Sequence, residues 1–220
     1  MSQEIKIEKK ASEVIQPATE EEARQAIKSK KDLSQANLRD MTLEKLNAVG
    51  AVLRKTDLTG ANLSHGLLVN PNFYRATVQD AAVHHTVIIG GDLVKTSFDR
   101  SNLVDTAIFG TNAKEASFKY ANLRNASLVS SNFENADFTD ADLTNARLAG
   151  LNVSGADFTG AVTTGAKAYH IDWSKAKVSP VLLPEPLVKM PIWAWSVLVG
   201  SLLGVISLVI YALIKKKKRN

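Results

Sequence analysis

One feature restricts what this chain can fold into more than any other: an apolar period of five residues that runs without interruption from Leu33 to Phe158. Reading every fifth residue over that span gives Leu, Phe, Ile or Val at 24 of 26 positions, with Ala48 and Ala113 as the other two. The set three residues further on, positions 36 to 161, is Ala, Ser, Thr or Gly at 22 of 26 places, the exceptions being Met41, Leu46, Pro71 and Leu151. The residue between a small position and the next large one is mostly Asp, Asn, Ser or Thr. Neither a helix, with 3.6 residues per turn, nor a strand, with two, can hold a five-residue period on one side. A chain that turns a corner every five residues can. Each pentapeptide then forms one face of a square coil, with the large and the small residue inside and three polar positions turned to water.

The units Ala61-Asn62-Leu63, Ala121-Asn122-Leu123, Ala136-Asp137-Phe138, Ala141-Asp142-Leu143 and Ala156-Asp157-Phe158 follow the pattern Ala-(Asp/Asn)-Leu-x-x, and in this the chain resembles the pentapeptide-repeat family over about 130 of its 220 residues. The resemblance implies an all-β solenoid, a right-handed quadrilateral β-helix with four pentapeptides per coil. Residue n then lies over n+20, and 26 units make about 6.5 coils, roughly 31 Å long at the spacing of paired strands. One interior column reads Leu38, Leu58, Val78, Phe98, Phe118, Phe138, Phe158, a stack of aromatic rings expected to serve as core. The small positions are needed because so narrow an interior has no room for two large side chains per face.

A solenoid leaves unpaired backbone at both ends and needs caps. Thr19-Glu20-Glu21-Glu22 has capping-box spacing, which predicts a short N-terminal capping helix within residues 19–32. The repeat domain is expected over 33–163, followed by a C-terminal cap over 164–176 in which Tyr169, Ile171 and Trp173 cover the last coil. Residues 1–18 read as a charged arm, and residues 177–189, with Pro180, Pro184 and Pro186, as a stiff stalk.

The stalk leads to 25 consecutive uncharged residues, Met190 to Ile214, which predict a C-terminal transmembrane α-helix. Trp193, Trp195 and Tyr211 sit at its ends, where amphipathic rings prefer the headgroup layer, and Lys215, Lys216, Lys217, Lys218 and Arg219 close the segment within a basic tail, 215–220. Ser196, Gly200 and Gly204 recur every four residues and offer a close-packing face for a second copy of the helix. The net charge of +5 is this tail: without it, 22 basic residues balance 22 acidic ones, so the charge gives no reason to expect a nucleic-acid partner. Residues 1–31 contain no apolar stretch, which predicts a tail-anchored, single-pass protein with the repeat domain in the cytoplasm. The five basic residues after the helix, against Lys175, Lys177 and Lys189 before it, pull towards the opposite orientation. Pro184-Glu185-Pro186, the apolar run and the basic cluster also resemble a bacterial sorting signal of the Pro-Glu-Pro type, a class that requires a signal peptide.

Chemistry-bearing motifs are scarce. There is no phosphate loop, dinucleotide fingerprint or HExxH, and the absence of cysteine removes thiolate metal sites and thiol nucleophiles. Ser and Thr fall on repeat positions that require small residues, so no catalytic residue and no cofactor is expected. The outward column Lys45, His65, His85, Asp105, Asn125, Asn145 brings His65, His85 and Asp105 to successive coils, and these three are the metal-ligand candidates. The expected function is that of a non-enzymatic, membrane-anchored scaffold or adaptor, whose partners are the lipid bilayer and a protein docked on its flat faces. The resemblance also implies an alternative, since members of the family mimic B-DNA and bind type II topoisomerases. That role needs a strongly acidic surface, whereas residues 33–163 carry 13 acidic and 11 basic side chains.

Overall fold

A computed structural model describes residues 15–186. Within them the chain is an all-β parallel solenoid of about six coils behind one N-terminal helix. Seven three-residue strands stack in sequence order, β1 (Asn47–Val49), β2 (Leu67–Val69), β3 (Val87–Ile89), β4 (Ala107–Phe109), β5 (Ser127–Val129), β6 (Arg147–Ala149) and β7 (Lys167–Tyr169), and β8 (Glu185–Pro186) follows them in the same sheet. Neighbours pair in parallel at a register of 20, Leu68 with Ile88 and Ile88 with Ile108. The other three faces hold together through single bridges at the same spacing, for example Asn72 to Asp92, Ser117 to Asp137 and Asn122 to Asp142. The expected coil of 20 residues is therefore present, face by face.

The interior follows the frame. The predicted column stacks face to face, with centroids 5.1 Å apart for Phe98 and Phe118, 5.0 Å for Phe118 and Phe138, and 4.8 Å for Phe138 and Phe158. Phe133 packs edge-on against Phe118 and Phe138. Leu46, one of the exceptions at a small position, is buried in the same pentapeptide as Ala48, so the large and small residues have exchanged places at little change of volume. Several small positions carry a hydroxyl instead of a methyl group. Thr56, Thr86, Thr96 and Thr106 are fully buried, and each donates to a carbonyl of the preceding coil, Leu33, Leu63, Phe73 and Val83 respectively, at 2.8 to 2.9 Å. Their hydroxyls are thus satisfied as burial demands.

The corners have a cause that the five-residue reading does not reveal. Every fifth residue from Gln35 to His170 has a positive φ, between 49° and 70°. Glycine fills some of these left-handed positions, but Lys45, His65, Arg75, His85, Glu115 and Tyr120 occupy others. At most positions of the three bridged faces an Asp or Asn side chain accepts from the N–H two residues on. The distances are 3.0 Å for Thr59 to Asp57, 3.1 Å for Glu134 to Asn132, 2.9 Å for Thr139 to Asp137 and 2.9 Å for Thr144 to Asp142. This Asx turn satisfies an N–H that the corner turns away from the ladder, which explains why Asp and Asn precede the large residue.

The N-terminal cap is a helix, α1 (Glu20–Lys28), shorter than the span 19–32 because Asp32 already pairs with Val52 in the first coil. Thr19 accepts from Glu22 N–H at 3.2 Å, while the Glu22 carboxylate reaches Ala18 N–H at 2.9 Å rather than the N–H of Thr19. The helix ends in a Schellman arrangement: Lys30 and Lys31 donate to Ile27 and Ala26, with Lys30 left-handed at φ 56°. Ala23, Ala26 and Ile27 cover the core, and polar side chains serve the open backbone of the first coil. Arg24 donates to the carbonyls of Thr42 and Glu44, both at 2.9 Å, and Glu20 accepts from Thr42 N–H at 2.7 Å.

At the far end the coil continues past Thr163 into β7, and Trp173 covers Phe158 edge-on at 5.4 Å. Residues 177–186, the described part of the stiff stalk expected over 177–189, run along the last coil. Lys177 donates to Ala156 O, Val178 O accepts from Phe158 N–H, Leu182 O accepts from the Thr163 hydroxyl and Glu185 donates to Ala166 O. The exposed edge of the last coil needs partners for its N–H and C=O groups, and this segment supplies them. Among the described residues no helix is long and apolar enough to cross a membrane. The expected arm up to residue 14 lies outside the described residues. So do the apolar run 190–214, with Trp193, Trp195, Ser196, Gly200, Gly204 and Tyr211, and the cluster Lys215 to Arg219.

Candidate functional site

Two features of the surface carry chemistry. The first is the outer side of the strand-bearing face. The expectation that three positions of each pentapeptide are polar fails there, because a strand paired with the coils on both sides needs no side-chain acceptor at its corner. The positions next to each buried residue become Leu67 and Val69, Val87 and Ile89, Ala107 and Phe109, and then Val129, with Val49 at the first coil. Val49 is 45% exposed and the others are half-buried. From β1 to β5 this face carries no charged side chain, and Arg147 and Lys167 bound it at the later coils. The result is an apolar strip about 19 Å tall, from four steps between paired strands.

The second is a histidine corner on an adjacent face. His65 and His85 stand on successive coils with rings parallel at 12° and centroids 4.9 Å apart. His84, absent from the column of candidates, lies edge-on to both, at 5.3 Å and 5.4 Å. Its Nδ1 is 3.1 Å from His85 Nδ1. His85 Nε2 faces Asp105 Oδ2 at 3.5 Å, so Asp105 meets His85 and is not part of the three-histidine group. Burial, then the neighbouring charges of His65 and His85, hold the His84 imidazole below its usual pKa, and Glu44 opposes this. Glu44 itself is paired with Lys45 at 3.0 Å. Reading positions 20 apart finds neighbours along the stack and misses those around a corner; the dipeptide His84-His85 was the available signal.

Elsewhere on the surface, ion pairs tie one coil to the next, among them Arg39 to Asp57, Lys95 to Glu115, Arg100 to Asp80, Lys114 to Glu134 and Lys119 to Asp137. At their exposure each contributes little by itself.

Residues 32–68, 108–145, 121–160 and 136–172 match the family model "Pentapeptide repeats", in 8 copies. No curated protein sequence matches the chain. Among solved structures it is similar to full-length QnrB1, described as a plasmid-mediated fluoroquinolone resistance protein, at 21% identity over 77% of this chain and 91% of that one, with a TM-score of 0.33. It is also similar to HetL, a pentapeptide repeat protein involved in heterocyst differentiation regulation in the cyanobacterium Nostoc, at 24% identity over 69% and 84%, with a TM-score of 0.31. A pentapeptide repeat protein of the Arabidopsis thaliana thylakoid lumen is similar at 24% identity over 53% and 71%, with a TM-score of 0.32.

Proposed function

We propose that this chain, which matches the pentapeptide-repeat family model over residues 32–68 and 108–172, is a non-enzymatic scaffold, held at a membrane by its C-terminal segment, that docks a protein partner on the strand-bearing face. The observation that carries this reading is the uncharged apolar strip from Val49 to Val129 on a surface otherwise laced with ion pairs. The core of a protein interface is depleted in charge, and an exposed apolar strip of this height is costly to leave in water. A DNA-like surface would need carboxylates on that face as well, and it has none from β1 to β5. Support for the anchor comes from the 25 uncharged residues 190–214 and from Val181, Leu182 and Leu183 just before them, which are 95%, 60% and 55% exposed. The repeat domain lies on the cytoplasmic side in this reading.

A photo-crosslinking side chain placed at Phe109, and in a parallel sample at Thr139 on a bridged face, tests the docking in intact membranes. A discrete adduct from position 109 alone supports the reading; equal or absent adducts overturn it. Sedimentation with membranes, lost on deletion of residues 190–220, tests the anchor. Protease digestion of the repeat domain only after permeabilisation tests its side.

A further inference from the structure

We propose that His65, His84 and His85 form a binding site for a borderline divalent transition-metal ion, of the zinc, nickel or copper class. One ring nitrogen from each lies within 4.8 Å of the others, and among the described residues this is the group so arranged. A tetrahedral ion with nitrogens at about 2.0–2.1 Å would bring them to about 3.3 Å of one another. The required closure falls on exposed or half-buried rings, while the backbone stays fixed. His65 N–H donates to His84 O at 3.1 Å, His85 N–H donates to Val104 O at 3.0 Å, and both residues are held left-handed, at φ 58° and 56°.

The ring contacts place the ligand atoms together. The two Nδ1 atoms of His84 and His85 lie 3.1 Å apart, a distance at which one donates its proton to the other, and an ion would replace that proton by accepting a lone pair from each ring. Asp105 Oδ2, 3.5 Å from His85 Nε2, is placed to accept from Nε2–H, which leaves Nδ1 as that ring's ligand, the usual arrangement in which a carboxylate orients a metal-bound imidazole. Glu44 and Asp105 flank the group with negative charge, and Lys45, the nearby cation, is paired with Glu44. A set of imidazoles suits zinc, nickel and copper rather than calcium or magnesium. Three protein ligands leave a coordination position open to the solvent. The inference does not depend on the strand face or on the membrane anchor.

The test uses the untagged full-length chain in detergent, freed of metal, titrated with Zn²⁺ and Ni²⁺ by calorimetry and with Cu²⁺ by electron paramagnetic resonance. The expected result is one equivalent per chain, nitrogen hyperfine structure in the copper spectrum, and weakening of about tenfold or more in each of H65A, H84A and H85A. H170A removes the fourth histidine, stacked on Tyr169 elsewhere, and should bind as the parent does. Circular dichroism checks that each variant keeps its coil. Absence of saturable binding, binding unchanged in H84A, or equal loss in H170A would overturn the proposal.

Discussion

The strand-bearing face and the three bridged faces are written in one five-residue frame, yet they solve the corner differently. On a bridged face a single residue pairs with each neighbouring coil, and an Asp or Asn side chain satisfies the N–H that the turn leaves over, as Asp137 does for Thr139 at 2.9 Å. On the strand face three consecutive residues pair in register, as in Leu67, Leu68 and Val69 against Val87, Ile88 and Ile89. No side-chain acceptor is needed there, so the outer positions are released from the Asp/Asn requirement and turn apolar. The difference teaches that a repeat fixes the interior on all four sides, while the hydrogen bonding of each face decides which surface is free to become an interface.

The largest expected effect tests the shared interior. Phe118→Ala removes the ring between Phe98 and Phe138 and leaves a void that a rigid ladder cannot close, at a cost of about 3–5 kcal/mol in denaturant unfolding. Leu128→Ala, beneath the strand face, should cost about 2–5 kcal/mol. If the Leu128 variant were neutral, the two kinds of face would not share one core.

A second pair of substitutions compares a glycine at a small interior position with one at a corner. Gly91, at φ 88°, sits so close to Pro71 that a Cβ would fall 2.3 Å from the Pro71 carbonyl oxygen, so Gly91→Ala should cost about 2 kcal/mol or more. Gly110, on a strand-face corner at φ 61°, has nothing within 4 Å of such an atom, and Gly110→Ala should cost only the left-handed penalty of about 1 kcal/mol. Thermal unfolding of the two variants side by side measures the gap.

Third, Asp137→Ala deprives the Thr139 N–H and hydroxyl and Lys119 Nζ of their acceptor, and about 1–2 kcal/mol should be lost. Val129→Ser, at an outer position of the strand face, should change stability by no more than about 0.5 kcal/mol while weakening any adduct formed there. A Val129 variant as damaged as the Asp137 variant would mean that the strip is structural rather than a docking surface.

How much of this was legible depended on the period at which the sequence was read. At a spacing of five, the interior, the Phe98 to Phe158 stack and the parallel register are all visible, because burial acts identically on every face. At that spacing the strand face is hidden, since its apolar outer residues recur only every 20: Val49, Val69, Ile89, Phe109 and Val129 belong to one pentapeptide in four. The left-handed corners were obscured by the lysines, arginines and histidines that occupy them at a cost the ladder overrides. His84 was missed because it lies around a corner from the column that holds His65 and His85. Residues 177–186 looked like a stalk because three prolines suggest stiffness, whereas the deciding factor, the unpaired edge of the last coil, is a property of the fold.

The last expected effect concerns acid. The Thr159 hydroxyl, then Lys177 and the Thr159 N–H, hold Asp157 down to about 2, against an ordinary value of 3.8. The unfolded chain therefore takes up this proton first on acidification. The stabilisation is complete above the unfolded value and is lost as pH falls from about 4 towards 2. Asp137 and Asp142 are also lowered: burial raises each, but donation from Thr139 and Lys119 to the first, and from Thr144 and Arg124 to the second, together outweighs it. All three sit on bridged faces, and the strand face from β1 to β5 has no carboxylate to protonate. Asp157→Asn keeps an acceptor for Thr159 while removing the titration, so its Tm should fall by about 2–4 °C less than that of the parent between pH 4 and pH 2. Hydrogen exchange over the same range should show the bridged corners loosening before the strands β1 to β5. Equal loosening on all four faces would mean that acid acts on the coil as a whole, and the distinction between the two corner chemistries would have no energetic content.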